Sequence, residues 1–362
     1  MLEVSILSCN LTNSASVFFL AAVPAPYMTS SAFAESSQAP RSSDDAKVDV
    51  TVANFIRAES DRYFSDVVKQ GGFGKLYHYR TPPALDHQTV VRMNRDTLYS
   101  GGVFDLDAAP VTITLPESGK RFMSIQVISE DHYTPLVDYA PATVTLTHDN
   151  VGTRYVLVAI RTLINATDPA DVKAANALQD KIKVEQSHPG KFEVPNWDSA
   201  GRDEIRKHLA ALQSVAGITT QRRMGKKGEV DPVFHLLATA TSWGLNPPEA
   251  AIYETVFPKA NDGKTVHTLT VKDVPVDGFW SITVYDANGF MFENPQKAYA
   301  VNTFTAKPNE DGSYTIQFGG DPNKAKNYLA ITPGWNYSVR LYRPRKEVVD
   351  GTWKFPEPRP VE

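Results

Sequence analysis

Four groups of residues carry side chains that could do chemistry. The densest is Asn94-Arg95-Asp96-Thr97 with Tyr99. Arg95 offers a rigid fork for a carboxylate or phosphate, and Asp96 can orient it or take a proton. The plainer reading has Asp96 and Thr97 capping a turn while Arg95 pairs with a local acid. The second group is Glu130-Asp131-His132 with Tyr133. Carboxylates beside an imidazole can hold a divalent cation or share a proton. Adjacent strand residues face opposite ways, so at most two of the three converge; a solvated loop is the alternative. Asp131 and His132 are the metal candidates. Trp280, Tyr285, Phe290 and Phe292 form the third group, an aromatic wall for a ligand. Period 2 aligns Trp280 with Ile282 and Val284, which favours the core, and turns Tyr285 to the other face. Trp335 and Trp353 are expected to pin the C-terminal tail. The fourth group, Arg222-Arg223-Met224-Gly225-Lys226-Lys227-Gly228, reads as a solvated basic linker, with a phosphate or lipid-headgroup contact as the minor reading.

No complete catalytic signature accompanies them. The sequence has no phosphate-binding G-x-x-x-x-G-K-[ST], no G-x-S-x-G elbow and no H-E-x-x-H. None of the eight histidines forms the His-x-His pair of a cupin metal site, so no cofactor is named and a divalent metal lacks a full ligand motif. Of 362 residues, 37 are basic and 41 acidic, for a net charge of −4, which argues against a nucleic-acid partner. Hydrophobic residues make up 42%, enough for real cores, yet no apolar run is long enough to span a bilayer.

The N-terminus reads as a targeting segment. Val17 to Val23 is apolar, Pro24 and Pro26 follow, and Ala32-Phe33-Ala34 offers a small-x-small cleavage site. A signal peptide is expected over residues 1–34 and a polar spacer over 35–46, with a periplasmic or secreted destination. The basic n-region is missing, since the first basic residue is Arg41. Cleavage would remove Cys9, the single cysteine, and with it any thiol chemistry.

The elements that must position these groups alternate in kind. Val52, Phe55, Ile56, Tyr63 and Val67 predict a helix that stops at Gly71-Gly72. Strands are expected at Val111 to Leu115, Phe122 to Ile128, Thr143 to Thr147 and Tyr155 to Arg161. The middle reads helical: Asp171 to Ile182, then Ile205 to Val215, then a helix opened by Asp231-Pro232 and closed by Gly244. Asn246-Pro247 is expected to open another. Strands return at His267 to Val271, Trp280 to Tyr285, Tyr314 to Phe318 and Tyr337 to Tyr342. The halves echo each other: Phe122-x-Ser124-Ile125-x-Val127 matches Phe279-x-Ser281-Ile282-x-Val284, and Gly152, Tyr155, Arg161 match Gly334, Tyr337, Arg343. The expected fold is mainly β with α insertions. It comprises two jelly-roll-like β-sandwich domains, an N-terminal helix plus first sandwich at 47–165 and a second at 261–362, joined by a helical region at 166–260.

Several segments together carry a resemblance. They are Asn54 to Asp61, Met93 to Ser100, Val274 to Tyr285, Pro333 to Pro344 and Gly351 to Pro356. From about residue 47 onward the chain resembles the bacterial family of domain of unknown function 1254 followed by 1214. The resemblance implies two jelly-roll-like domains joined by helices and, in many members, export; it implies no activity. The leading functional expectation is an exported protein that binds a small molecule or assembles with itself. A hydrolase or lyase on a small anionic substrate, with Arg95 as anchor and Asp96 or Tyr99 in acid–base work, is the alternative. A structural, shell-like homo-oligomer is a third.

Overall fold

The structure is a computed structural model that describes residues 46–88, 91–215 and 223–361. The expected leader and Arg222 lie outside the described residues. The chain opens with α1 (Phe55–Lys69), which ends before Gly71, a residue with φ 92 that only glycine adopts freely. The first half then supplies β1 (Tyr77–His78), β2 (Thr97–Asp105), β3 (Val111–Leu115), β4 (Met123–Ser129), β5 (Leu136–Tyr139), β6 (Ala142–Leu146), the short α2 (His148–Val151), β7 (Tyr155–Leu163), α3 (Pro169–Gln179) and β8 (Lys183–Gln186). Strands order as β1-β2-β7-β4-β5 in one sheet and β6-β3-β8 in the other. Between them lies a core containing Ile113, Ile125, Val127, Val156, Val158 and Ile160.

Two helices follow, α4 (Ser199–Val215) and α5 (Pro232–Thr241). The α5 start is built as the sequence predicts: Pro232 sits in its first turn and the Asp231 carboxylate accepts from the Val233 and Phe234 amides at 3.0 and 3.1 Å. Helices α1 and α5 cover the outer face of the five-stranded sheet, and α4 packs on these two helices. Tyr155, Leu157 and Ala159 of β7 pack there against Tyr63, Phe64, Val67 and Trp243. Strand β7 is therefore apolar on both faces, one turned to the sandwich core and one to the helices.

The second half comprises β9 (Ala251–Val256), β10 (His267–Val271), β11 (Trp280–Tyr285), β12 (Ala300–Asn302), β13 (Tyr314–Phe318), β14 (Asn327–Leu329), β15 (Asn336–Tyr342), the short α6 (Lys346–Val349) and β16 (Arg359–Pro360). Sheets β12-β11-β15-β9 and β14-β13-β10-β16 enclose a core of Leu269, Trp280, Ile282, Phe318, Trp335 and Val339. Trp335 is thus a core residue, while the half-buried Trp353 packs the tail against that core. The fold is two β-sandwiches with helices, as expected. No helix among the described residues is long and apolar enough to cross a membrane.

Three expectations fail. Asn246-Pro247 opens a turn rather than a helix, and the chain goes on into β9. The Asn246 side chain is spent elsewhere: its oxygen, the atom a cap would use, accepts from Arg161 at 3.5 Å, and its amide donates to the Tyr253 hydroxyl at 2.8 Å. Strands β8 and β9 also fall in the stretch 166–260 expected to be helical: β8 pairs antiparallel with β3, and β9 pairs antiparallel with β15 as an edge of the second sandwich. The duplication is visible, but its register differs from the sequence reading. Ser124 pairs with Arg161 and Ser281 with Arg340, so Arg340, not Arg343, is the counterpart of Arg161. Arg343 lies past the end of β15 with φ 51.

The two sandwiches meet through Phe122, Leu163, Tyr253, Phe279 and Tyr342. Phe279 stacks on Tyr342 at 4.3 Å between ring centroids and meets Phe122 edge-on at 5.1 Å. The backbone comes equally close, for a Cβ on Gly278 would stand 2.6 Å from the Tyr342 carbonyl oxygen. Removing the Phe279 ring is expected to cost about 3–5 kcal/mol. Because the ring serves both halves, thermal melts of Phe279→Ala should show one cooperative transition at lower temperature. Early melting of the second half alone would contradict this coupling.

Candidate functional site

The loop that leads into β2 is organised by Asn94. Its side-chain oxygen accepts from the Asp96 amide at 2.8 Å, while its amide donates to the Thr97 and Tyr99 hydroxyls at 3.0 and 3.1 Å. This turn buries Asp96. One carboxylate oxygen of Asp96 accepts from Asn302 at 2.9 Å, and the other is buried without a hydrogen-bond partner. Arg95 turns away from this group. It donates to the Pro83 carbonyl and stands over the Tyr299 ring at 5.6 Å, and among the described residues it forms no local ion pair. Tyr285 is fully buried, donates to the Met93 carbonyl at 2.9 Å and accepts from Arg340 at 2.6 Å. Trp280, on the opposite face of β11, lies in the sandwich core edge-on to Tyr314 and does not join Tyr285 in a wall. The structure therefore brings together Asn94, Asp96, Tyr99 and Tyr285, and leaves out Arg95 and Trp280.

What gathers them is a pair of arginines that sequence reasoning did not single out as a site. Arg161 and Arg340 are both buried, at 0% and 1% exposure, on matching central strands. Each lies across from a tyrosine on one neighbouring strand and a serine on the other: Tyr99 and Ser124 flank Arg161, Tyr253 and Ser281 flank Arg340. Even the next partner repeats. Arg161 donates to Gln126 at 2.8 Å, and Arg340 donates to Thr283 at 2.9 Å; both acceptors lie two residues beyond the serine. Arg340 also donates to the Arg92 carbonyl at 2.9 Å.

Tyr342 completes this seam. Its hydroxyl is buried without a hydrogen-bond partner, and burial pushes its phenol well above the usual range. Arg343 stands 4.4 Å from the Tyr139 ring, whose phenol burial pushes up to about 12. Arg223 reaches the seam from the basic loop. It is half-buried, within electrostatic reach of the Tyr253 phenol, and forms no ion pair among the described residues. Burial holds its guanidinium below the ordinary arginine value. Lys226 and Lys227 are exposed. The loop was thus half read: its lysines are solvated, but Arg223 points to a neighbour. The usable signal for the seam was the F-x-S-I-x-V repeat, whose serines face both buried arginines.

The second group proves to be interior rather than a solvated loop. His132 adopts φ 62, is fully buried, and stacks on Trp243 at 5.2 Å and His235 at 5.4 Å. Its Nε2 accepts from the Gly244 amide at 2.9 Å, which assigns the proton to Nδ1, 2.8 Å from the Thr239 hydroxyl. Burial, with His235 close by, holds its pKa well below the usual value. Asp131 instead accepts from Arg57 at 2.6 Å. The two metal candidates thus have separate partners, and among the described residues no three His, Cys, Asp or Glu side chains are grouped to hold a cation.

Glu130 takes part in a different arrangement. It faces Asp61 of α1, which is 1% exposed and accepts from the Trp197 indole at 2.8 Å. Glu130 accepts from the Tyr155 amide at 2.9 Å. Burial first, then the neighbouring Glu130, push Asp61 up to about 7, and burial raises Glu130 as well. Two carboxyls in so little water favour the protonated form of Asp61, although Arg57 stands 3.7 Å from Glu130 and opposes the shift.

Comparison with known proteins finds the two segments in the order read from the sequence. Residues 73–145 match the family described as Protein of unknown function (DUF1254), and residues 258–346 match Protein of unknown function (DUF1214), in that order. No curated protein matches the chain. Among solved structures, the VPA0106 protein from Vibrio parahaemolyticus is similar at TM-score 0.65 and 16% identity, over 86% of this chain and 98% of that one. An uncharacterized protein from Burkholderia cenocepacia aligns at TM-score 0.48 and 13% identity, over 81% and 84% of the two chains. At such identity the first likeness speaks for the fold alone.

The acid pair makes stability depend on pH. With Asp61 raised from 3.8 to about 7, the folded state holds a proton that the unfolded chain releases, so its contribution is full below pH 3.8 and is lost as pH rises through 7. Asp61→Asn keeps the acceptor for Trp197 and removes that loss. Urea denaturation should find the variant more stable than the parent by more than about 1 kcal/mol at pH 8, and equal to it near pH 4. A gap that is constant with pH would refute the raised pKa of Asp61.

Proposed function

We propose that this chain, in which a DUF1254 segment precedes a DUF1214 segment, binds a small anionic molecule at the seam between its two sandwiches. The observation that carries the reading is Arg223, a half-buried guanidinium without an ion pair among the described residues, beside the tyrosines that surround Arg161 and Arg340. Arg161, Arg223, Arg340 and Arg343 meet few acids here: Asp96 near Arg340, and Glu249 near Tyr139. Cations outnumber carboxylates in a region of low dielectric, where the Coulomb attraction for an anion is stronger than in water and hydrogen bonds from the guanidinium offset its desolvation. A planar guanidinium matches a carboxylate or phosphate in two parallel hydrogen bonds. The Tyr342 hydroxyl, buried without a partner, supplies a further donor.

A hydrolase or lyase acting on the same anion is favoured by one feature. The free oxygen of Asp96 is a buried acceptor near Arg340 and the Tyr285 phenol, placed to take a proton. On this reading Arg340 takes the place that the sequence assigned to Arg95. The leader expected over residues 1–34 supports a periplasmic or secreted location.

Calorimetric titration with inorganic phosphate, malate and citrate tests the proposal. At least one of these anions should bind. Arg223→Ala should weaken that binding by about 1.5–3 kcal/mol without a matching loss of melting temperature, because the guanidinium forms no ion pair among the described residues. Undiminished affinity in Arg223→Ala, or no heat from any of the three, would overturn it.

A further inference from the structure

A second site lies at the far edge of the second sandwich. Strand β9 is the edge strand there, and the C-terminal tail crosses its open side with Val348, Trp353 and Phe355 packed on the core. Between tail and sheet is a cavity of about 270 Å³, just below the range of roughly 300–1,000 Å³ usual for small-molecule sites. Its walls include Val256, Val339 and Phe355. Its polar groups are Glu254, Lys354 and Glu357, none of which forms an ion pair among the described residues. Tyr337 also lines it. This residue is 0% exposed, and its hydroxyl is buried without a hydrogen-bond partner. The phenol lies within electrostatic reach of Glu357 and Glu254.

Such an arrangement selects its ligand by charge. Two carboxylates against one ammonium leave the polar end negative, and the buried phenol oxygen adds a third acceptor. A primary ammonium carries three donors, one for each. Trp353 lines the same cavity with an aromatic face that attracts a cation. The valines and Phe355 accept an apolar body. We infer that this edge cavity binds a small primary amine with a short hydrocarbon body. The inference does not rest on the seam, which is lined by other residues and has the opposite charge.

Titration of the full chain with hexylamine, 1-hexanol and hexanoate decides the matter, since the three share a body and differ in head group. Hexylamine should bind to one site at least tenfold more tightly than hexanol, and hexanoate should not bind. Tyr337→Phe and Glu254→Gln should each weaken hexylamine at least fivefold while leaving the circular dichroism spectrum unchanged. Equal or tighter binding of hexanol or hexanoate overturns the inference. So does silence from hexylamine, or wild-type affinity in both variants. If a buried substitution fails to fold, Lys354→Ala on the exposed rim serves instead. Loss of that competing cation should tighten hexylamine binding, and unchanged or weaker binding counts against the site.

Discussion

Burying Arg161 and Arg340 obliges the surrounding chain to supply acceptors, and that demand organises the molecule. A guanidinium has five N–H donors and cannot shed its charge, so each donor taken from water needs a partner in place. The partners come from well separated segments. Gln126 is drawn from β4, Thr283 and Tyr285 from β11, and the Arg92 carbonyl from the loop before β2. Gln126 in turn donates to the Leu245 carbonyl at 2.9 Å, which fixes the exit from α5. The loop that presents Asp96, the link into β9 and the approach of the two sandwiches thus answer to one requirement.

Much of the fold could be read because strand alternation and helix punctuation are local. Val111–Leu115, His267–Val271, Trp280–Tyr285 and Tyr314–Phe318 fall where the pattern of turns and β-branched residues puts them. Asp231-Pro232 builds a helix start because the aspartate is free to cap. Asn246-Pro247 has the same chemistry but fails, because its asparagine is committed to Arg161 and Tyr253, partners that only the tertiary fold provides.

The candidate sites were less legible for the same reason. Nothing local separates Arg161 or Arg340 from any strand arginine facing solvent; only the pairing of strands shows both beneath a second layer. The repeat pointed to the right strands, yet the G-x-x-Y mark led to Arg343, three residues too far. His132 looks like a loop residue until α5 and Trp243, some hundred positions later, close over it. The edge cavity exists only because the tail returns across β9, so Glu254 and Tyr337 become neighbours of Lys354 and Glu357 only in three dimensions.

Strand β7 has a consequence for how the chain can be divided. It pairs with β2 on one side and β4 on the other, carries Arg161, and is covered on both faces. The first matched segment ends at residue 145, before this strand begins, and the second starts at 258, after β9 has ended. A fragment cut at those limits would lack the middle of its first sheet or the rim of its second. The two labels therefore mark stretches of recurring sequence rather than separable bodies. The physical unit runs through the segment between them, where the strand that completes one half and the strand that begins the other are both encoded.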